Sequence, residues 1–402
     1  MRNILTITIL AVFCLALVLA PAAMAADPKY TVSKAMGPKL EGGITDEFIE
    51  QLKEDEGLKA GKPLRLGKGI TDEDLKKLPV LVDYVKSMEM DNCEDITDLS
   101  PLASLTGLEK LKINRLKGVT TLEPLAALVN MKELEIRQVE YPDIKFVSGM
   151  KQLESLVFFM QPKNFSDISP LEGMTSLKTL HFYSCPIEDI SVLAGLTGLE
   201  DLSLYMTAVK DLEPIGGLTG LKRLSLYAVK APDMTPVGNL TNLEYIWIYA
   251  TKFEDYSPLA KLVNMVDFNA GLSALDTLEY LVHMPKLKIV KMLNEDIHDF
   301  TPLAELPQLE TVNLEGVKGV VDLSVFKDHK KLVNLFVRNC KVKNAEAVTA
   351  LPKLEWIILI DSEGVDDITI FKDMPKIKRI SVKKGQYPDE QLEAVGKLAS
   401  VN

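Results

Sequence analysis

The 402-residue chain has only four cysteines, four histidines and two tryptophans, and aromatic residues make up 6% of it. Cys14 lies in the N-terminal apolar stretch, which leaves Cys93, Cys185 and Cys340, an odd number spread over the chain. Such spacing is not a disulfide framework. There is no C-x-x-C and no pair of histidines at i, i+4, so the usual zinc patterns are missing and neither a metal nor a cofactor is expected. A P-loop, a G-x-S-x-G elbow and a G-x-G-x-x-G in strand-to-helix context are missing too. Basic excess is lacking: 46 Lys+Arg against 57 Asp+Glu give a formal net charge of −11. That balance argues against a nucleic-acid partner held by phosphate neutralisation. Beyond the N terminus no apolar run approaches the roughly 20 residues of a membrane-spanning helix.

What is present begins with an export signal. Arg2 precedes the apolar run Ile9 to Ala20, and Pro21 and the small-residue site Ala23-Met24-Ala25 follow. This order predicts a signal peptide over residues 1–25 and an exported chain, periplasmic, cell-surface or secreted, with no membrane span after cleavage. Retention of the stretch as an anchor is the alternative. Val12-Phe13 before Cys14 argue against a lipid anchor there.

The rest is repetition. Leu196-Thr-Gly-Leu199-Glu-Asp-Leu202-Ser-Leu204 recurs as Leu218-Thr-Gly-Leu221-Lys-Arg-Leu224-Ser-Leu226 and as Leu240-Thr-Asn-Leu243-Glu-Tyr-Ile246-Trp-Ile248, at a spacing of 22 residues. Aligning the apolar-x-apolar pair places fifteen strands at Leu64, Met88, Leu111, Leu134, Leu156, Leu180, Leu202, Leu224, Ile246, Phe268, Val290, Val312, Leu335, Ile357 and Ile380. Such a period means a solenoid, in which no single repeat buries its own apolar face. Within each strand alternate residues point inward. Asp98-Leu99-Ser100-Pro101, Asp167-Ile168-Ser169-Pro170, Asp255-Tyr256-Ser257-Pro258 and Asp299-Phe300-Thr301-Pro302 mark a recurring corner. The hydroxyl residue is expected to cap a short helical turn and the proline to open it. Grouped together, these aspartates look like ligands, but their recurrence at a corner favours a scaffold role.

The pattern resembles the leucine-rich repeats of the bacterial internalin family, and the resemblance covers about four-fifths of the chain. It implies a curved α/β solenoid: a concave parallel β-sheet, convex short helical or 3-10 turns, and helical caps at the ends. The expected organisation is an N-terminal cap over 26–63, repeats over 64–382 and a C-terminal cap over 383–402, with helices read near Gly43–Leu52 and Tyr387–Val395. The resemblance also implies non-catalytic recognition of a partner. One position departs from the family. Where its repeats mostly carry asparagine, this chain has Cys93, Cys185, Thr207, Val229, Thr251, Ser273 and Cys340, so a ladder of asparagines bonding one coil to the next is expected to be largely missing.

The outward residues of the strands then define the concave face. Phe159, Tyr183, Tyr205, Tyr227 and Tyr249 follow the core pair in five successive repeats, and Tyr245 and Trp247 join them in the last. Charged or titratable residues flank this stripe at His181, Asp201, Arg223 and Asp267. A row of aromatics either supports the sheet by cross-strand packing or forms a binding platform. The expected contact surface is Phe159, His181, Tyr183, Tyr205, Tyr227, Tyr245, Trp247 and Tyr249. A protein is the expected partner, and an extended glycan is the alternative because Ser203, Ser225 and Asn269 lie beside the rings. A secondary patch is read at Phe336, Trp356, Ile358 and Ile360. His181, Asp201 and Ser203 fall on adjacent strands, but a flat sheet supplies no oxyanion hole for a serine hydrolase.

Overall fold

The computed structural model describes residues 28–33 and 35–401; the export signal read over residues 1–25 lies outside them. The described residues wind into a succession of coils that contribute their strands to a continuous eighteen-stranded sheet. All fifteen strands read from the repeats are in it, and their pairing register follows the spacing of the core pair: Leu180 lies against Leu156 and Leu202, Leu224 against Ile246, and Ile357 against Ile380. Identical coil geometry explains this, since a slip by one residue would turn every core side chain to solvent. Leu202, Leu204, Leu224, Leu226, Ile246 and Ile248 are all fully buried.

Three further strands of this sheet were not legible, nor was the separate parallel pair Val320–Asp322 and Lys341–Lys343. Lys29–Thr31 runs antiparallel to Lys39–Glu41, which pairs in parallel with Leu64–Leu66. At the other end Ala399–Val401 pairs in parallel with Arg379–Val382. These edge pieces lack the L-x-x-L-x-L context that reveals the others. The helix near the start runs Asp46–Glu54, with Thr45 accepting from the Phe48 N–H and with Ile49 and Leu52 buried. Asp74 accepts from the Ile44 N–H at 2.7 Å, which fastens this segment to the first coil. Helix Asp389–Val395 lies at the far end, where Gln391 accepts from the Ile368 N–H.

The convex turns are short 3-10 helices, and their capping differs from expectation. The aspartate is the cap: Asp98, Asp167, Asp255 and Asp299 each accept from the N–H two residues on, at 2.7–2.9 Å. The serine or threonine is therefore the first residue of the turn, and proline the second. The carboxylate closes an Asx turn onto the N–H two residues on, whereas the hydroxyl sits on the residue that carries that N–H and cannot cap it. These aspartates are thus occupied by their own corners.

Inter-coil bonding is also richer than the missing asparagines suggest. Cys93, Cys185 and Cys340 direct Sγ at carbonyls of the preceding coil, on Gly67, Phe158 and Leu314, at 3.3–3.7 Å. Gln161 and Ser362 donate likewise to Ile136 and Val337. A ladder of mixed residue types is present in these coils, and it lapses in the central ones, where Thr207 and Thr251 donate within their own coil to Leu204 and Ile248. Burial pushes the Cys93 and Cys185 thiols up to about 12, so they serve as small buried donors and not as nucleophiles. One residue ahead of the strands, acid and base alternate from coil to coil, as in Glu109–Lys132, Glu154–Lys178 and Glu200–Lys222 at 2.7–2.8 Å. Exposed pairs add little stability individually, but a displaced coil would set like charges together.

Candidate recognition face

The strands Ser155–Phe159, Thr179–Tyr183, Asp201–Tyr205, Arg223–Ser225 and Tyr245–Tyr249 bring the aromatic residues into one contiguous cluster. Ring centroids step from Phe159 to Tyr183 at 5.7 Å, to Tyr205 at 5.8 Å, to Tyr227 at 4.2 Å and to Tyr249 at 4.9 Å. The last two contacts are face to face, with interplanar angles of 15° and 3°. Trp247 stands edge-on against Tyr205 and Tyr227, at 5.8 and 5.5 Å. Guanidinium groups close the margins: Arg223 sits 4.2 Å from the Tyr245 centroid and Arg137 5.0 Å from that of Phe159. Every ring in the cluster is half-buried, because each is covered on its faces by the next.

This arrangement presents edges and hydroxyls to solvent. Burial raises Tyr205, Tyr245 and Tyr249 above the ordinary phenol value, so they stay protonated and able to donate. Ring edges carry the positive end of the aromatic quadrupole, so the row suits acceptors such as carbonyl oxygens. Past Tyr249 the row stops at Gly271, and a hollow of about 190 Å³ opens among Trp247, Tyr249, Asn269, Lys291, Leu293 and Glu315.

The polar margin is fully engaged. His181 Nε2 lies 2.9 Å from Asp201 Oδ1, and the Tyr183 hydroxyl lies 3.2 Å from His181 Nδ1. Asp201 also meets Arg223 Nε at 3.3 Å. With both imidazole nitrogens taken, Ser203 has no base. Its Oγ is buried without a hydrogen-bond partner, and so is that of Ser225. His181 and Asp201 therefore orient Tyr183, and Ser203 stands apart from them without an activating base.

A second row beside the rings escaped the sequence reading. The residue after each strand takes a left-handed conformation, at φ 52° in Met160, 53° in Met206 and 50° in Leu272. Asn92, Asn294, Gly316, Asn339 and Asp361 hold the same place in five outer coils and suit that backbone, while Arg115 and Gln138 hold it in two more. In the coils of the ring cluster the place goes to Met160, Ser184, Met206, Ala228, Ala250 and Leu272 instead. Met160, Met206 and Leu272 are 49%, 51% and 46% exposed. The available signal was a column of apolar residues just outside the strand pattern.

The secondary patch is only partly an open surface. Phe336 and Trp356 meet edge to face at 5.0 Å, and Arg338 and Arg379 lie over them at 5.4 and 5.1 Å. The Trp356 indole donates to Ser381 Oγ at 3.2 Å. Ile358, read as outward, is only 3% exposed, while Ile360 is half-buried. Large rings on the adjoining strand and in the same strand cover a residue that register alone places on the concave side.

No family profile and no curated protein sequence matches the chain. Solved structures do. An internalin of Listeria monocytogenes, InlF, is 27% identical, with a TM-score of 0.64 over 75% of this chain and 88% of the other. A leucine-rich-repeat protein of Leptospira interrogans is 19% identical and shares the fold at a TM-score of 0.72, over 90% of this chain and 92% of its own. The functional domain of InlJ from Listeria monocytogenes, which includes a cysteine ladder, is 17% identical, with a TM-score of 0.57 over 80% of this chain and 74% of that one.

Proposed function

We propose that this chain, an internalin-like leucine-rich-repeat protein, is a non-catalytic recognition scaffold that leaves the cytoplasm and binds another protein on its concave face. The contact surface is the ring cluster Tyr183, Tyr205, Tyr227, Tyr245, Trp247 and Tyr249, with Phe159 and His181 at its margin. The observation that carries this is the contiguity of the rings across five neighbouring strands. Strand propensity accounts for isolated aromatics, and exposed apolar patches of this kind mark partner sites. Tyr and Trp dominate the energetics of such interfaces.

The face-to-face stacking favours a protein over a glycan. A sugar stacks on an open ring face, and the faces of Tyr205, Tyr227 and Tyr249 are turned to one another. Edges and hydroxyls remain, which match backbone carbonyls and apolar side chains.

The test is capture from envelope extract and culture medium by the purified protein and by Trp247→Ala with Tyr249→Ala, with a glycan array in parallel. The double variant is expected to stay within about 1–2 kcal/mol of wild-type stability, as for other substitutions outside the core, and to lose its protein partner. Normal capture by the variant overturns the assignment, as does selective binding to the array with no protein captured.

A further inference from the structure

Arginine over an aromatic ring recurs on this sheet, and it follows the strand register. Arg137 lies in register with Phe159, Arg223 with Tyr245 and Arg379 with Trp356. Each guanidinium covers the ring of its register partner, at 4.2–5.1 Å from the centroid. Arg137 and Arg223 also hold a carboxylate, on Glu135 and Asp201. The ring row is thus closed at Phe159 by an arginine of the preceding coil. Its other end is open, because the register partner of Tyr249 is Gly271, which carries no side chain. One face of Tyr249 rests on Tyr227, and the other turns toward the following coils.

The hollow beyond Tyr249 supplies the rest of such a site. Glu315 lines it together with Tyr249. After burial and Tyr227, the Glu315 carboxylate is the next influence that raises the Tyr249 phenol, so the two groups lie within electrostatic reach. Arg338 meets Glu315 only at 3.7 Å and donates more closely to Asn313 Oδ1, at 3.2 Å, so the carboxylate keeps capacity to accept. Asn269 donates its amide nitrogen to Asp267 Oδ1 at 2.7 Å, which leaves its amide oxygen as a second acceptor. Lys291 also lines the hollow, but its ammonium is turned to Asp267 Oδ2, 3.6 Å away, at the end of strand Asp267–Gly271 far from the glycine.

We infer that this hollow is a guanidinium site, which takes an arginine side chain of the protein partner. This rests on the concave face being the recognition surface. The planar cation lies on the outer face of Tyr249 and donates to Glu315 and Asn269, so that a partner's arginine does at this end of the row what Arg137 does at the other. Lysine fits less well, because an ammonium is a strongly hydrated point charge that cannot stack flat on a ring. A carboxylate would meet Glu315. The formal net charge of −11 favours the approach of a basic surface. Arginine, with tyrosine and tryptophan, also leads among the residues that dominate interface energetics.

The experiment titrates the protein, isotope-labelled at tryptophan, with arginine, citrulline, lysine and glutamate, each blocked at both termini. The two indole N–H resonances are followed. Trp247 lines the hollow, Trp356 is already covered by Arg379 and serves as internal control, and Trp356→Phe assigns the signals. Arginine is expected to shift the Trp247 signal saturably at millimolar concentration and to leave Trp356 unmoved. Citrulline has the same shape without the charge and is expected to bind about fivefold more weakly, and lysine about threefold. Glutamate is expected to give no shift. Glu315→Gln alters a half-buried side chain outside the core and is expected to weaken arginine about fivefold while leaving citrulline unchanged. An equal response to arginine and citrulline, a preference for glutamate, or an arginine response that Glu315→Gln does not lower overturns the inference. In capture from envelope extract, loss on Trp247→Ala with Tyr249→Ala but not on Glu315→Gln removes the arginine contact and leaves the ring cluster standing. Capture that neither variant disturbs removes the recognition surface on which the inference rests, whatever the titration gives.

Discussion

The ring of Tyr249 occupies the space that a side chain on Gly271 would fill: a Cβ there would meet Cδ2 and Cε2 of the ring at 2.4 Å. The five coils before Gly271 carry an aromatic residue at this register and the coil after it carries Leu293, so the stack ends where glycine lets its last member lean over. The ring cluster therefore has a defined edge, set by the absence of one side chain.

Gly271→Ala should displace the Tyr249 ring and, through Tyr227, disturb Trp247. Overpacking of this kind costs about 1–3 kcal/mol. The expected result is a lower thermal midpoint with an altered near-ultraviolet circular dichroism signal. An unchanged signal would show that the ring does not rest on the glycine.

Leu204→Asp places a carboxylate where the side chain is fully buried between the cores of adjacent coils. A buried unpaired charge is strongly destabilising, on the order of 3–5 kcal/mol. Loss of cooperative unfolding in a denaturant titration is expected, against little change for a conservative Leu204→Met.

Glu295 stands at the inter-coil ladder position with no exposure, and accepts from the Ser273 N–H at 2.9 Å and from its hydroxyl at 3.0 Å, with no cation beside it. Burial raises its pKa above the ordinary carboxylate value. A raised pKa favours the folded state at low pH, and that contribution is lost as pH rises through the folded value, by up to about 1.4 kcal/mol per unit. Glu295→Gln should thus raise the thermal midpoint at pH 7, with the difference vanishing near pH 4. Equal midpoints at both pH values would count against the account.

His329 behaves in the opposite sense. It takes a core place held by Leu306 and Leu351 in the adjoining coils; Nε2 reaches the Leu303 carbonyl at 3.0 Å and Nδ1 has no partner. Burial lowers its pKa, so the unfolded chain binds the proton first and stability falls as pH drops below about 6.5. His329→Leu should remove this loss, seen as a smaller fall in thermal midpoint between pH 7 and pH 5. An unaltered pH profile would show that the imidazole is not the source.

Much of the fold was legible because one spacing recurs. A residue 22 positions away repeats the environment, so the core pair and its register follow from Leu202, Leu224 and Ile246 without reference to anything else. The terminal strands have no such repetition and were missed. At the candidate face, alternation correctly placed Tyr205, Tyr227, Trp247 and Tyr249 outside the core. It failed at Ile358, because an outward direction does not ensure an open surface once Phe336 and Trp356 lean across it.

The amino-acid sequence by itself determined the solenoid, its coil length and which residues face inward, since these depend on local periodicity. Only the tertiary structure decided which outward residues are free, that the aspartates cap their own turns, that cysteine and glutamine keep the ladder, and that apolar residues sit in left-handed backbone beside the rings. The reason is physical. Direction is set within one strand, whereas exposure, stacking and hydrogen-bond satisfaction are set by side chains one whole coil away.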